Sequence, residues 1–179
     1  MDLLMDRVES PLGTLLVVLD GARLCALEFA DCEPRLLHLL WTRYGAPLLA
    51  PAVDPRGVSS RLRAYFAGDL AALDDVAVDP GGTPFQQEVW SALRAIPRGT
   101  TRSYGDLAAQ LGRPAASRAV GRANALNPVC IVVPCHRLIG ADGSLTGYSG
   151  GLERKRWLLE HEGARLGPPR AARRERGTA

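Results

Sequence analysis

Apolar residues near the N-terminus lie in short runs separated by turn signals, a pattern typical of β-strands. Residues 15–19 are all apolar, and the Asp20-Gly21 dipeptide that follows them is a strong hairpin signal. A second, mainly apolar run covers residues 24–29, and an earlier strand is predicted over residues 3–8. We therefore expect a sheet built around a hairpin at the start of the chain.

Leucines spaced along one helical face predict a helix over residues 35–44 that lies on this sheet. Residues 59–66 are predicted to form a second, short helix. The following stretch, residues 69–82, ends in Pro and Gly and is interpreted as a linker. We place the domain boundary there, with an α/β domain over residues 1–78 and a second domain over residues 79–165.

The second domain contains two clear helix-start signals. Thr83 is a predicted N-cap, Pro84 occupies the first helical position, and Gln86 completes a capping box. Ser103 is a second predicted N-cap, with Asp106 three residues later. Each signal predicts the first turn of a helix.

The helix that starts after Ser103 is followed, across a tight turn, by a second one predicted over residues 115–126. Such a pair fits a helix-turn-helix or an ordinary corner between two helices, and the periodicity alone does not separate them. Two features favour DNA binding. Arg113, Arg118 and Arg122 lie in or beside the second helix, and its small residues would let the backbone approach a narrow minor groove.

The charge of the chain is divided unevenly between its halves. Residues 94–179 hold 15 of the 22 Lys and Arg residues but 6 of the 19 Asp and Glu residues. A basic half joined to an acidic half indicates that the basic half meets a polyanion. Part of the excess lies in the basic tail, residues 166–179, which is predicted to be disordered and explains some of the asymmetry without a partner.

The Pro134-Cys135-His136 sequence is the strongest candidate for chemistry. It follows the apolar run 131–133, which is predicted to be a strand. A thiol becomes a strong nucleophile only as a thiolate, and an imidazole is a suitable base. Because neighbouring side chains of an extended stretch point in opposite directions, we expect a water between the two, and a carboxylate such as Glu162 to orient the imidazole. The alternative is a small buried cysteine beside a solvated loop histidine.

The remaining features concern compartment and metals. With 179 residues and 46% hydrophobic residues, the chain can form one large or two small cores. No apolar run is long enough to span a bilayer, and the start of the chain does not resemble a signal peptide. The cysteines show no paired spacing, so we expect free thiols in the reducing cytoplasm. A zinc site formed by Cys25, Cys32 and His38 is a weaker alternative.

Several motifs resemble those of one family. They are Gly82-Thr83-Pro84-Phe85-Gln86, Arg118-Ala119-Val120-Gly121, Asn127-Pro128, residues 131–137, residues 147–151 and the segment from Trp157 to Gly163. With these motifs the chain resembles the O6-alkylguanine-DNA alkyltransferases (methylated-DNA–protein-cysteine methyltransferases), and it is most similar to the bacterial constitutive type. The resemblance covers nearly the whole chain.

This resemblance implies a fold and an activity. The fold would be an α/β N-terminal ribonuclease-H-like domain followed by a mainly α C-terminal domain with a winged helix-turn-helix. The activity would be direct reversal of DNA damage, in which an alkyl group moves from O6 of guanine to Cys135 in one step that consumes the protein. Whether O4 of thymine also reacts is left open. The partner would be double-stranded DNA approached from the minor groove, by a monomer that needs no cofactor.

The resemblance also implies residue roles. Cys135 accepts the alkyl group, His136 and Glu162 generate the thiolate, Tyr104 assists base flipping and protonates the departing guanine, and Asn127 stabilises a turn between the two sites. The DNA-binding residues would be Arg118, as a finger filling the gap left by the rotated nucleotide, together with Ser103, Ala116, Ser117, Gly121 and Arg122. The guanine pocket would be formed by Pro134, Leu138, Tyr148, Ser149 and Gly150. Arg122 replaces a small residue common in the family, which leaves the fit in the groove open.

Two other functions use the same residues. A cysteine hydrolase would employ Cys135, His136 and Glu162 but would leave the helix pair without a role. A non-enzymatic binder of damaged DNA would use the helix pair but leave an activated thiol idle. An alkyl thioether has no carbonyl for water to attack, so the alkyltransferase alone is predicted to be consumed.

Overall fold

A computed structural model describes residues 2–167 of the chain. The N-terminal region forms a four-stranded sheet in the order β3-β2-β1-β4. Strands β1 (Asp2–Val8), β2 (Leu15–Asp20) and β3 (Arg23–Phe29) pair antiparallel, and β4 (Leu48–Pro51) pairs parallel with β1. The predicted strands and hairpin are therefore confirmed. The basic tail lies outside the described residues except for its first two positions.

Two helices accompany this sheet, α1 (Glu33–Tyr44) and α2 (Val58–Phe66). Alternate residues of β2 enter two different cores. Leu16 and Val18 pack in a core with Leu36 and Leu40 of α1, whereas Leu15, Val17 and Leu19 face the rest of the molecule. The continuous apolar run of β2 arises because both faces of the sheet are covered.

The C-terminal region is mainly helical, with α3 (Pro84–Arg94), α4 (Tyr104–Gln110), α5 (Ser117–Ala125) and α6 (Leu152–His161), and a short parallel pair of β5 (Arg102–Ser103) with β6 (Leu138–Ile139). Both predicted capping boxes are present, since the hydroxyl of Thr83 accepts from the Gln86 N–H at 3.3 Å and that of Ser103 from the Asp106 N–H at 3.0 Å. A 3₁₀ turn, Pro114–Ala116, precedes α5. No helix within residues 2–167 is long and apolar enough to cross a membrane.

The N-terminal sheet supports the segment that leads to Cys135. The N–H of Leu27 on β3 donates to the Pro128 carbonyl at 2.8 Å, and the Cys130 N–H donates back to the Leu27 carbonyl at 3.0 Å. Leu27 and Val129 form an isolated parallel bridge at this edge of the sheet. One hydrophobic core runs from the sheet through α2 into the C-terminal helices. The segment before Cys135 is thus held at a sheet edge that would otherwise be open.

The predicted strand over residues 131–133 is wrong. These residues are buried but form successive turns, in which the Val132 N–H donates to the Cys130 carbonyl and the Val133 N–H to the Val129 carbonyl. Ile131 has φ of 67°, a left-handed conformation that a β-branched residue rarely adopts and that no strand allows. The apolar run reflects burial on all sides, which periodicity cannot distinguish from a buried strand.

Candidate active site and nucleic-acid interface

Cys135 opens a single 3₁₀ turn, Cys135–Arg137, directly after Pro134. Its N–H donates to the Val133 carbonyl at 2.8 Å, and the residue is only 5% exposed. Burial raises the pKa of the Cys135 thiol, and the side-chain amide of Asn127 acts in the opposite direction. The sulfur is therefore a protonated thiol in the free protein at neutral pH, and it requires a base in order to react.

His136 is aligned by a buried carboxylate. Its Nε2 lies 3.0 Å from Oε1 of Glu162, and both side chains are almost fully buried. Hydrogen bonds from His136 and Arg137 outweigh the effect of burial and hold the pKa of Glu162 well below its usual range. Because an ionised carboxylate only accepts, Nε2 carries the hydrogen and Nδ1 is left with a lone pair. That Nδ1 has no hydrogen-bond partner among the described residues.

Two further groups bind the same carboxylate. Arg137 donates from Nε to Oε2 and from Nη2 to Oε1 of Glu162, both at 2.8 Å, and the Tyr65 hydroxyl donates to Oε1 at 3.0 Å. Burial lowers the pKa of His136, and the nearby Arg137 and Lys155 charges lower it further against the pull of Glu162. The imidazole is therefore neutral at pH 7. The sequence reasoning missed Tyr65, which lies on α2, 97 positions before Glu162. It also missed Arg137, although the place of Arg137 beside the Cys-His pair was a usable signal.

Asn127 organises the turns before Cys135. Its Oδ1 accepts from the Val129 N–H at 3.0 Å, and its Nδ2 donates to the Val133 carbonyl at 2.9 Å. One buried amide thus satisfies backbone groups at both ends of the loop, and it also lies within reach of the Cys135 sulfur. These contacts are of the kind that the resemblance implies for Asn127, as a residue that stabilises a turn.

Cys135 lines a cavity of about 310 Å³. The other lining residues are Arg35, Asn124, Ala125, Gly147, Tyr148 and Ser149. The structure brings the predicted pocket residues Tyr148 and Ser149 to this cavity, but not Leu138 or Gly150. Pro134 lines a different cavity, of about 330 Å³, behind the Glu162 carboxylate. The oxygens Asn124 Oδ1 and Tyr148 Oη have no hydrogen-bond partner among the described residues.

Lys155 is a third residue that the sequence reasoning missed. Its side chain is fully buried, and Nζ donates to the Leu138 carbonyl and, at 2.6 Å, to the Thr146 carbonyl. Burial lowers its pKa to about 8. The hydroxyl of Tyr104 donates to the same Thr146 carbonyl at 3.4 Å. These donors fix the loop that forms one wall of the 310 Å³ cavity.

The α4–α5 pair presents a basic surface. Arg118 and Arg122 are exposed on α5, while Val120, Ala123 and Asn124 are its buried face. The predicted DNA-binding residues Ala116, Ser117 and Gly121 are half-buried at the start and middle of this helix. Ser103 is occupied as the N-cap of α4, and Arg113 pairs with Glu88 at 2.7 Å.

The buried end of α5 is anchored from two sides. Nε1 of Trp90 donates to the Ala123 carbonyl at 2.9 Å. From α1, Arg35 donates to the carbonyls of Ala125 at 2.6 Å and Asn127 at 3.0 Å while it pairs with the buried Glu28. The helix and the turn before Cys135 are therefore held by the same arginine.

Comparison with known proteins identifies the family. Residues 84–164 match the family model of the 6-O-methylguanine DNA methyltransferase DNA-binding domain. The methylated-DNA–protein-cysteine methyltransferase of Salmonella typhimurium is 54% identical over 165 residues, which cover 90% of this chain and 96% of that protein. The chain belongs to the methylated-DNA–protein-cysteine methyltransferase family.

Solved structures of this family agree with the fold. The O6-methylguanine methyltransferase of Mycobacterium tuberculosis is 44% identical, with a TM-score of 0.76 over 93% of this chain and 95% of that one. The same organism's protein in complex with DNA gives a TM-score of 0.74 at 44% identity over 91% and 93% of the two chains. An α/β N-terminal region joined to a helical C-terminal region is thus shared with the family.

The described residues give no support to a zinc site formed by Cys25, Cys32 and His38. Within residues 2–167, no three His, Cys, Asp or Glu side chains lie close enough to hold a metal ion. Cys25 is buried in the sheet, where its thiol donates to the Val18 carbonyl at 3.3 Å and burial raises its pKa to about 11.

Proposed function

We propose that this protein repairs DNA by transferring an alkyl group from O6 of guanine to Cys135, and that each molecule reacts once. The observation that carries this proposal is the arrangement of Cys135, His136 and Glu162 beside a cavity. The thiol is protonated, and the neutral imidazole is held so that Nδ1 is free to receive a proton. A water between Sγ and Nδ1 would complete the path.

The reaction balances without a cofactor. The thiol proton moves to Nδ1 of His136, the sulfur forms a bond to the alkyl carbon, and the bond from that carbon to O6 breaks with its electrons passing to guanine. Burial raises the pKa of Tyr104, so its hydroxyl stays protonated and can give a proton to the departing base. The proton on His136 then restores Tyr104 through solvent. The product thioether has no carbonyl for water to attack, so Cys135 is not regenerated.

Access to the cavity requires the target nucleotide to leave the duplex. Extrusion of a base costs a few kcal/mol of unstacking. We propose that α5 of a winged helix-turn-helix enters the minor groove, and that the exposed Arg118 offsets this cost by filling the gap in the stack. Ser103, Ala116, Ser117, Gly121 and Arg122 would contact the backbone or groove walls.

The remaining assignments are finer proposals of the same kind. Three antiparallel strands with a fourth parallel strand at the far edge support a ribonuclease-H-like N-terminal domain over residues 1–78, followed by the alkyl-transfer domain over residues 79–165. The described cysteines are all free, which fits the cytoplasm as the compartment. The protein is proposed to act as a monomer. Tyr148 and Ser149 are proposed to line the guanine pocket, and Pro134, Leu138 and Gly150 to support it from outside the cavity.

Mass spectrometry tests the transfer directly. Incubation with O6-benzylguanine, or with an oligonucleotide carrying O6-methylguanine, should add one alkyl group at Cys135 and none elsewhere. The Cys135→Ala protein should gain nothing, whereas Cys25→Ala, which changes a thiol in the sheet away from the cavity, should react like the wild type. Repeated turnover, or hydrolysis of ester and peptide substrates, would instead favour a cysteine hydrolase. The same assay with O4-alkylthymine in DNA decides whether that base is also a substrate.

A further inference from the structure

Tyr65 lies outside the alkyl-transfer domain but contacts its catalytic carboxylate. It is on α2 of the N-terminal region and is only 2% exposed. Its hydroxyl donates to Oε1 of Glu162 at 3.0 Å, and its backbone carbonyl accepts from Nε2 of His161 at 2.8 Å. One tyrosine therefore holds two successive residues at the end of α6.

Oxygen Oε1 of Glu162 has an unusual number of donors. It accepts from Tyr65 Oη, from His136 Nε2 and from Arg137 Nη2, at 3.0, 3.0 and 2.8 Å. Each additional donor stabilises the negative charge of the carboxylate. The carboxylate then stabilises a protonated imidazole less strongly. Burial by the surrounding core, together with its bond to an ionised carboxylate, keeps Tyr65 protonated at every working pH, so it always acts as a donor.

The charges around His136 come from two elements, α6 and the 3₁₀ turn that contains His136 itself. Glu162, at the end of α6, favours the imidazolium. Arg137 on the same turn and Lys155 on α6 oppose it, and the Cys135 thiol is the adjacent titratable group. Tyr65 carries no charge, so it acts on His136 only through the carboxylate that both of them bind.

We propose that Tyr65 is a positioning residue for alkyl transfer, by which the N-terminal domain fixes Glu162 and weakens His136 as a base, so that the imidazole is neutral when DNA binds. This inference rests on the proposed function. It assigns to the N-terminal domain a part in the acid–base chemistry in addition to its part in packing.

The test compares Tyr65→Phe with the wild type in the full chain. Tyr44→Phe is a matched control, because Tyr44 is also on an N-terminal helix and its hydroxyl also lies near a carboxylate, at 3.1 Å from Asp20, but outside the site. The rate of alkyl transfer to Cys135 from methylated duplex DNA and from free O6-benzylguanine would be measured across the pH range in which the rate falls on acidification. Thermal unfolding of each protein would be recorded in parallel.

We expect Tyr65→Phe to change both the rate and its pH dependence. Loss of one hydrogen bond to the ionised carboxylate should lower the rate near neutral pH about 10-fold with both substrates. Removal of the donor makes Glu162 a better partner for the imidazolium, which raises the pKa of His136 and moves the acidic midpoint to higher pH, by roughly half a unit. Tyr44→Phe should match the wild type in rate and midpoint.

The outcomes separate the two proposals. If the wild type itself gains no alkyl group on Cys135, the proposed function fails and this inference fails with it. If the wild type reacts but Tyr65→Phe has an unchanged or lower midpoint, the inference is wrong even where the rate falls, because a purely structural residue would slow transfer equally at every pH.

Discussion

The C-terminal region carries Cys135, His136 and Glu162, whereas the N-terminal region contributes no reacting group to the candidate site. Instead it supplies support: β3 bonds the segment before Cys135, Arg35 holds the end of α5, and Tyr65 binds Glu162. The reacting residues therefore all come from the C-terminal region, whereas the contacts that hold them in place come from both regions. Truncation of the N-terminal region should therefore remove contacts that activity needs, although it removes no nucleophile, base or acid.

The two regions also place their arginines differently. Arg118 and Arg122 of the C-terminal region are exposed, while Arg35 donates to two carbonyls across the interface and pairs with Glu28 of its own region. An exposed arginine beside a small-residue helix suits an external polyanion. A part-buried arginine bonded to carbonyls suits a fixed structure. The same residue type is therefore proposed to bind DNA in one region, and it holds the fold together in the other.

The largest effect is expected from Glu162→Gln, which removes the carboxylate that the two regions share. His136 loses its anchor and Arg137 is left buried without a counter-charge. We expect the rate of transfer to Cys135 to fall about 100-fold or more, which is the usual contribution of general acid–base catalysis. The free energy of unfolding should fall by about 3–5 kcal/mol. Single-turnover kinetics and urea denaturation would measure these quantities.

Glu160→Gln, on the exposed face of the same helix, is the control and should resemble the wild type. Equal behaviour of the two variants would contradict a catalytic role for Glu162.

An intermediate effect is expected from Arg118→Ala, which tests the binding surface alone. Because Arg118 is proposed to offset part of the few kcal/mol that extrusion costs, transfer from duplex DNA should slow about 10-fold. Transfer from free O6-benzylguanine needs no extrusion and should be unchanged. Arg23→Ala, an exposed arginine of the N-terminal sheet, should leave both rates at the wild-type value. A parallel loss with both substrates would show that Arg118 acts on the site itself.

The smallest effect is expected from Arg35→Lys, which weakens the interface but keeps the charge beside Glu28. A lysine is a point donor and cannot reproduce the planar fork that reaches the Ala125 and Asn127 carbonyls. We expect a loss of about 1–2 kcal/mol in stability and a rate lowered a few-fold. Arg43→Lys, on the same helix but paired with Asp79, should lose stability without any change in rate. If Arg43→Lys lowered the rate as much as Arg35→Lys, the contacts of Arg35 with the Ala125 and Asn127 carbonyls would not be a specific support for the site.

Some of the molecule was determined by the sequence alone. The Asp20-Gly21 hairpin and the capping boxes at Thr83 and Ser103 depend on neighbours within a few residues, so local rules predict them. The Cys-His pair was also recognisable, since its chemistry resides in adjacent side chains.

Only the tertiary structure decided the rest. Residues 131–133 are all apolar and are buried on every side. No neighbouring residue therefore indicates that Ile131 adopts a left-handed turn conformation and not that of a strand. Tyr65 and Glu162 stand 97 positions apart, and their hydrogen bond exists because α2 and α6 pack in one core. Propensities and caps act over a few residues, whereas a buried carboxylate is satisfied by whichever donors folding brings to it.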